Sequence, residues 1–125
     1  MTKNFDWYKP CAYDGEQKRR FHGQAKKRLK ALAQQLGFQP GSFDLRSNAG
    51  GVAVSGEATL HHSRLYVQVC QPATGHDSGI LIRTCEGRED YTGGPNNFLP
   101  LSWLDHIEAL AGYCRRILDR DGGRS

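Results

Sequence analysis

The sequence predicts an α+β fold, a two-layer sandwich of an N-terminal helix, a four-stranded antiparallel meander and a C-terminal helix, with one sheet face open. Three observations predict it. Phe21, Ala25, Leu29, Leu32 and Leu36 recur at helical spacing. From Phe43 the apolar period shortens to two, with turn residues at regular intervals. A second helical stripe then runs through Leu104, Ile107, Leu110 with Ala111, Cys114 and Leu118. At 125 residues, 38% hydrophobic and 24% charged, the chain suits a single domain around one core.

Residues 1–13 read as an N-terminal arm anchored by Phe5, Trp7 and Tyr8. Helix one is expected over 15–36. Asp14 with Gln17 has the form of a capping box, and Gly37 followed by Phe38 and Pro40 is a stop signal. Strands are expected over 43–47, 52–60, 63–70 and 79–85, separated by Asn48-Ala49-Gly50-Gly51, by a two-residue turn at His61-His62, and by the loop 71–78. After a polar segment, 86–97, Ser102 is expected to cap the second helix. Gly122 and Gly123 end it, and 120–125 read as a flexible tail.

Charge is unevenly placed. Between Glu16 and Asp44 there is no acidic residue, yet Lys18, Arg19, Arg20, Lys26, Lys27, Arg28 and Lys30 crowd the first half of that stretch. The segment carries +7 and the remainder −3, within a net +4. On a helical projection Arg19, Lys26 and Lys30 fall opposite the apolar stripe, with Arg20 and Lys27 beside them and Arg28 on its flank. No carboxylate four residues away is expected to lace the helix. Such a face suits phosphates or an acidic protein surface. The same residues also suit a merely solvated outer face, since Lys and Arg are good helix formers.

Alternation sorts the strands into faces. Val52, Val54, Leu65, Val67, Val69, Ile80 and Ile82 form an apolar face for the helices. The other face is expected to carry Ser55, Glu57, Thr59, Arg64, Tyr66, Gln68, Cys70, Leu81, Arg83 and Cys85. Pairing Leu60 with Ser63 aligns Glu57, Tyr66 and Arg83 across the sheet. A ring beside a guanidinium on an open sheet offers stacking and orientation to a single strand, although a plain cross-strand polar row has the same composition.

Chemistry-bearing motifs are few. The segment 86–97 is long and glycine-rich and contains Glu89-Asp90, but Thr92-Gly93-Gly94 is not followed by the Lys-Ser/Thr of a phosphate loop. The histidine pairs and the four cysteines, Cys11, Cys70, Cys85 and Cys114, lack the spacing of a metal or redox motif, and a thiol near Arg64 would be acidified. No metal or cofactor is expected. No stretch approaches the length of a membrane span and MTKNFDWYKP lacks a signal-peptide core, so a cytoplasmic protein with reduced thiols and no membrane partner is expected. Oligomeric state is left open.

The stretches DLRSNAGGVAVSGE, RLYVQV and CEGREDYTGGPNNF resemble small uncharacterised proteins of proteobacterial mobile elements and their hosts, over about residues 12–118. That resemblance implies a cytoplasmic accessory role in element maintenance or in countering a host defence, and carries no activity or site residue. From the residues themselves, the leading expectation is a non-enzymatic module binding nucleic acid or a nucleoprotein. Lys18, Arg19, Arg20, Lys26, Lys27 and Lys30 would supply charge. Arg64, Tyr66 and Arg83 would supply stacking and orientation, with Arg88 and Tyr91 as further contacts. The alternatives are a protein-binding inhibitor or adaptor using the same surfaces, and a small enzyme centred on 86–97.

Overall fold

Helix α1, Gly15–Gln35, starts where Asp14 leaves the extended region and its carboxylate accepts the Gln17 N–H at 3.1 Å. It stops at Leu36, where Gly37 turns left-handed at φ 77 and Phe38 N–H reaches back to Ala33 O at 3.0 Å. Phe21, Ala25, Leu29 and Leu32 are fully buried along one side. Burial of each of the three larger side chains contributes about 1.5–3 kcal/mol. The computed structural model describes residues 5–71, 78–87 and 94–122.

Five strands follow as an antiparallel sheet in sequential order: β1 Phe43–Asn48, β2 Glu57–His62, β3 Leu65–Val69, β4 Ile80–Thr84 and β5 Asn97–Leu99. Leu45, Leu60, Val67 and Ile82 stand opposite one another, and Ala58, Val69, Ile80 and Leu99 form the next apolar row. Both helices pack on this face. Leu101–Asp105 forms a 3-10 turn, α2 runs Ile107–Ile117, and Leu110, Ala111, Cys114 and Ile117 close the core beside α1.

Several expectations are corrected. The sheet has five strands rather than four, because the three residues of β5 are too few to show an alternation and are held by pairing with β4. Residues 49–56 are a loop, and Val52 and Val54 are 74% and 53% exposed instead of lying in the core. Gly56, at φ 76, turns the chain there, and a Cβ on it would run into the carbonyl oxygens of Asn48 and Ala49. The β2–β3 turn is Ser63-Arg64 rather than His61-His62, so the pairing slides by two residues on each strand. A slide of two preserves every face. It replaces Glu57 by His61 opposite Tyr66.

The second helix also begins differently. Ser102 lies inside the 3-10 turn, and neither it nor His106 supplies a side-chain cap to α2. Beyond α2, Leu118–Gly122 continues as a π-helical turn, and 123–125 lie outside the described residues.

The arm is tied down by a shared carboxylate. Trp7, 1% exposed, meets Phe21 edge-on at 5.9 Å, and its indole N–H donates to Asp105 Oδ1 at 3.0 Å. Arg28 Nη2 lies 3.6 Å from the same oxygen. The Gln71 side chain fixes the arm from the other side, donating to Trp7 O at 3.0 Å and Lys9 O at 2.7 Å while accepting from Cys11 N–H at 3.3 Å.

Candidate nucleic-acid interface

The seven cations of α1 divide into two groups once their partners are known. Lys18 is half-buried and donates to Ala49 O at 3.1 Å and Gly51 O at 2.8 Å, fastening the 49–56 loop. Arg20 pairs with Glu16 at 2.9 Å, an i,i+4 bridge that corrects the expectation of an unlaced helix. Arg28 faces Asp105 rather than solvent. Arg19, Lys26, Lys27 and Lys30 hold no carboxylate within salt-bridge range among the described residues.

The direction of that group follows from the helix. His22 lies four residues after Lys18 and is 6% exposed. Its Nε2 is 2.7 Å from Ser55 O, which can only accept, so the network places the proton on Nε2. Nδ1 then accepts from the Ser47 hydroxyl of β1 at 2.6 Å. This clip sets one side of α1 against the β1 edge. Lys26, half-buried, is the next residue along that line, with Arg19 about 20° and Lys30 about 40° from it around the axis and Lys27 about 100° beyond. At a rise of about 1.5 Å per residue, Arg19 to Lys30 spans about 16 Å.

The second sheet face is less open than expected. Asp44, His61, Tyr66 and Arg83 stand in one row across β1 to β4. His61 is fully buried and Tyr66 is 7% exposed, with Thr59 at 8% beside them. Gly87 O lies 3.0 Å from His61 Nε2, so the start of the segment after β4 folds onto this face. The Arg83 guanidinium sits 4.4 Å over the Tyr66 ring, and the Tyr66 hydroxyl donates to Gln68 Oε1 at 3.0 Å. The expected pairing of Tyr66 with Arg83 is present, but the ring is covered and is not a stacking platform. Arg64 is exposed in the β2–β3 turn, where its N–H donates to His62 Nδ1 at 3.1 Å. Arg88 and Tyr91, with the rest of residues 88–93, lie outside the described residues.

Thiol chemistry is suppressed rather than favoured. Burial pushes the Cys114 thiol up to about 12 and raises those of Cys11 and Cys70 above their ordinary value. For Cys70 burial is the main cause of the rise, with the Glu57 charge adding to it. Cys85 donates its S–H to His62 O at 3.0 Å.

Sequence reasoning missed three residues that shape the site. His22 and Ser47 form the clip that orients the cation row, and Asp105 removes Arg28 from it. His22 falls beside the apolar stripe on the helical projection, a position that signals a buried polar contact, but its partners are 25 and 33 residues away. Comparison of the chain with protein-family models, with curated proteins and with solved structures found no match.

Proposed function

We propose that this protein is a non-enzymatic module that grips the phosphate backbone of nucleic acid, or of a nucleoprotein, through the solvent flank of α1. One observation carries the reading. After the cations committed to internal partners are set aside, Arg19, Lys26, Lys27 and Lys30 remain along about 16 Å of a single helix, with no salt-bridge partner among the described residues. Lys and Arg contacts of this kind position a module on phosphates and carry no base readout. Arg64 on the exposed β2–β3 turn would be an outlying contact, while Lys18 and Arg20 act chiefly within the fold. The accessory role in a mobile element, and a cytoplasmic setting, belong to this same reading.

The test is fluorescence anisotropy with an end-labelled 20-base-pair DNA duplex at low salt. Binding by the wild-type protein and its loss in Arg19→Gln/Lys26→Gln/Lys27→Gln/Lys30→Gln supports the reading. Absence of binding by the wild-type protein, or equal binding by the fourfold variant, refutes it.

A further inference from the structure

The sheet leaves one long edge open. Among the described residues β1 pairs only with β2, and the strand at the opposite edge, β5, is three residues long. Residues of an antiparallel strand turn their N–H and C=O groups alternately to one neighbour and to the other, so a few bonds fix the rest. Cys70 N–H donates to Gly79 O at 2.9 Å and Cys85 N–H to Arg64 O at 3.0 Å, which commits the even-numbered residues of β3 to β4. Leu65, Val67 and Val69 then bond β2, and Glu57, Thr59 and His61 bond Asn48, Arg46 and Asp44. Phe43, Leu45 and Ser47 are left to turn their main-chain groups outward. Among the described residues no backbone bond from outside the sheet reaches these three.

That edge has a positive flank. His22 of α1 is held to Ser47 at 2.6 Å, while Phe38, just past the end of α1, meets Phe43 at a ring separation of 6.5 Å. The helix therefore runs antiparallel to β1 and beside it. Four helical residues advance about 6 Å and two strand residues about 6.8 Å, so Lys26 stands about level with Leu45 and Lys30 with Phe43. Neighbouring carboxylates do not cancel this flank. Asp44 is bridged to Arg46 at 3.1 Å and Glu16 to Arg20 at 2.9 Å, and each pair sums to zero. Glu57 stands opposite Asn48, at the far end of β1 and on the second sheet face. Lys26 and Lys30 have no salt-bridge partner among the described residues.

Edge and flank together narrow the occupant. Alternating outward donors and acceptors match the main chain of an extended peptide, which nucleic acid does not have. A second copy of this chain is disfavoured, because pairing β1 with itself would bring two rows of Lys26 and Lys30 against each other. Basic segments meet the same repulsion. A segment with carboxylates at alternate positions fits, since side chains on one face of a strand repeat at about 6.8 Å and Lys26 and Lys30 are about 6 Å apart along the helix axis.

We propose that β1 takes up an extended acidic segment of a protein partner as a sixth strand, through main-chain bonds at Phe43, Leu45 and Ser47 and through carboxylates facing Lys26 and Lys30. Main-chain bonds supply affinity in this mode, and the charged flank selects the sequence. The site rests on the β1 edge and stands apart from the nucleic-acid reading, although both draw on the same lysines.

The test uses the full chain and a labelled dodecapeptide of alternating Glu and Thr, with binding followed by anisotropy and amide hydrogen exchange by NMR. Controls are the same composition with all Glu in one block, and a peptide of alternating Lys and Thr. The alternating acidic peptide should bind at least tenfold more tightly than either control and slow exchange at Phe43, Leu45 and Ser47 at least tenfold. Asp44 and Arg46, already bonded to β2, should change little. Lys26→Glu/Lys30→Glu should lose at least tenfold in affinity for this peptide. Leu45→Pro, which removes an outward N–H and no bond to β2, should do the same while duplex DNA binding stays unchanged; should it fail to fold, the wild-type exchange data decide. The proposal is overturned by no binding, by equal binding of the blocked peptide, or by binding that leaves the three amides unprotected. It is equally overturned by a concentration-dependent dimer that protects those amides without peptide, which would give the edge to a second copy.

Discussion

Neutralising Lys26 and Lys30 together should halve the salt dependence of nucleic-acid binding while leaving the fold intact. Four cations, Arg19, Lys26, Lys27 and Lys30, lack internal partners on α1 among the described residues. If each neutralises one phosphate, log affinity falls against log salt with a slope of about −3.6, and raising NaCl from 50 to 200 mM weakens binding about 150-fold. Lys26→Gln/Lys30→Gln leaves two contacts, a slope of about −1.8 and about a 12-fold loss over the same range. Because neither lysine has a salt-bridge partner to lose among the described residues, unfolding free energy should move by less than about 0.5 kcal/mol. Lys18→Gln is the contrasting variant, since its ammonium holds Ala49 O and Gly51 O. It should cost about 1 kcal/mol of stability and change the slope by less than about 1. Duplex anisotropy at four salt concentrations, with urea unfolding of each variant, measures both quantities. A wild-type slope shallower than about −1.5, or an unchanged slope in the double variant, would refute the reasoning.

Three further outcomes are expected. His22→Phe removes the clip between Ser47 and Ser55 and leaves a carbonyl unsatisfied, so urea unfolding should show a loss of about 1–3 kcal/mol. Gly56→Ala combines a left-handed φ of 76 with a clash against two carbonyl oxygens, and should lower stability by at least about 2 kcal/mol in the same assay. The folded protein keeps Cys114 protonated up to about pH 12, whereas the unfolded thiol ionises from its ordinary value of 9.0. Stability should therefore be flat in this respect below pH 9 and fall by up to about 1.4 kcal/mol per pH unit between 9 and 12. Cys114→Ala should lack that component, and parallel slopes for the two proteins would refute it.

The helices were the most legible part of the chain because their signals are local. The stripe from Phe21 to Leu32, the Asp14 cap and the Gly37 stop all lie within a few residues of the structure they produce, and α1 ends within one residue of its expected limit. Strand faces were legible where a partner lies on each side, as for Leu65, Val67, Ile80 and Ile82. The failures came from alternation that has no partner. Val52 and Val54 alternate as strand residues do, but loop residues cannot bury a face, and β5 is too short to alternate at all.

Of the candidate interface, the sequence alone determined that positive charge is concentrated on one helix, because composition and helical periodicity are properties of neighbouring residues. Only tertiary structure decided which cations remain available. Asp105 withdraws Arg28 across 77 positions, and the Ala49 and Gly51 carbonyls withdraw Lys18 across 31 and 33. The same holds for the sheet. Sequence parity put Tyr66 on the second face, but the slide of β2 against β3 and the fold-back at Gly87 decided that its neighbour is His61 and that its ring is covered. Register and pairing depend on where the chain returns in space, and hydrophobic alternation cannot distinguish slides of two residues, since both leave every apolar side chain in the core.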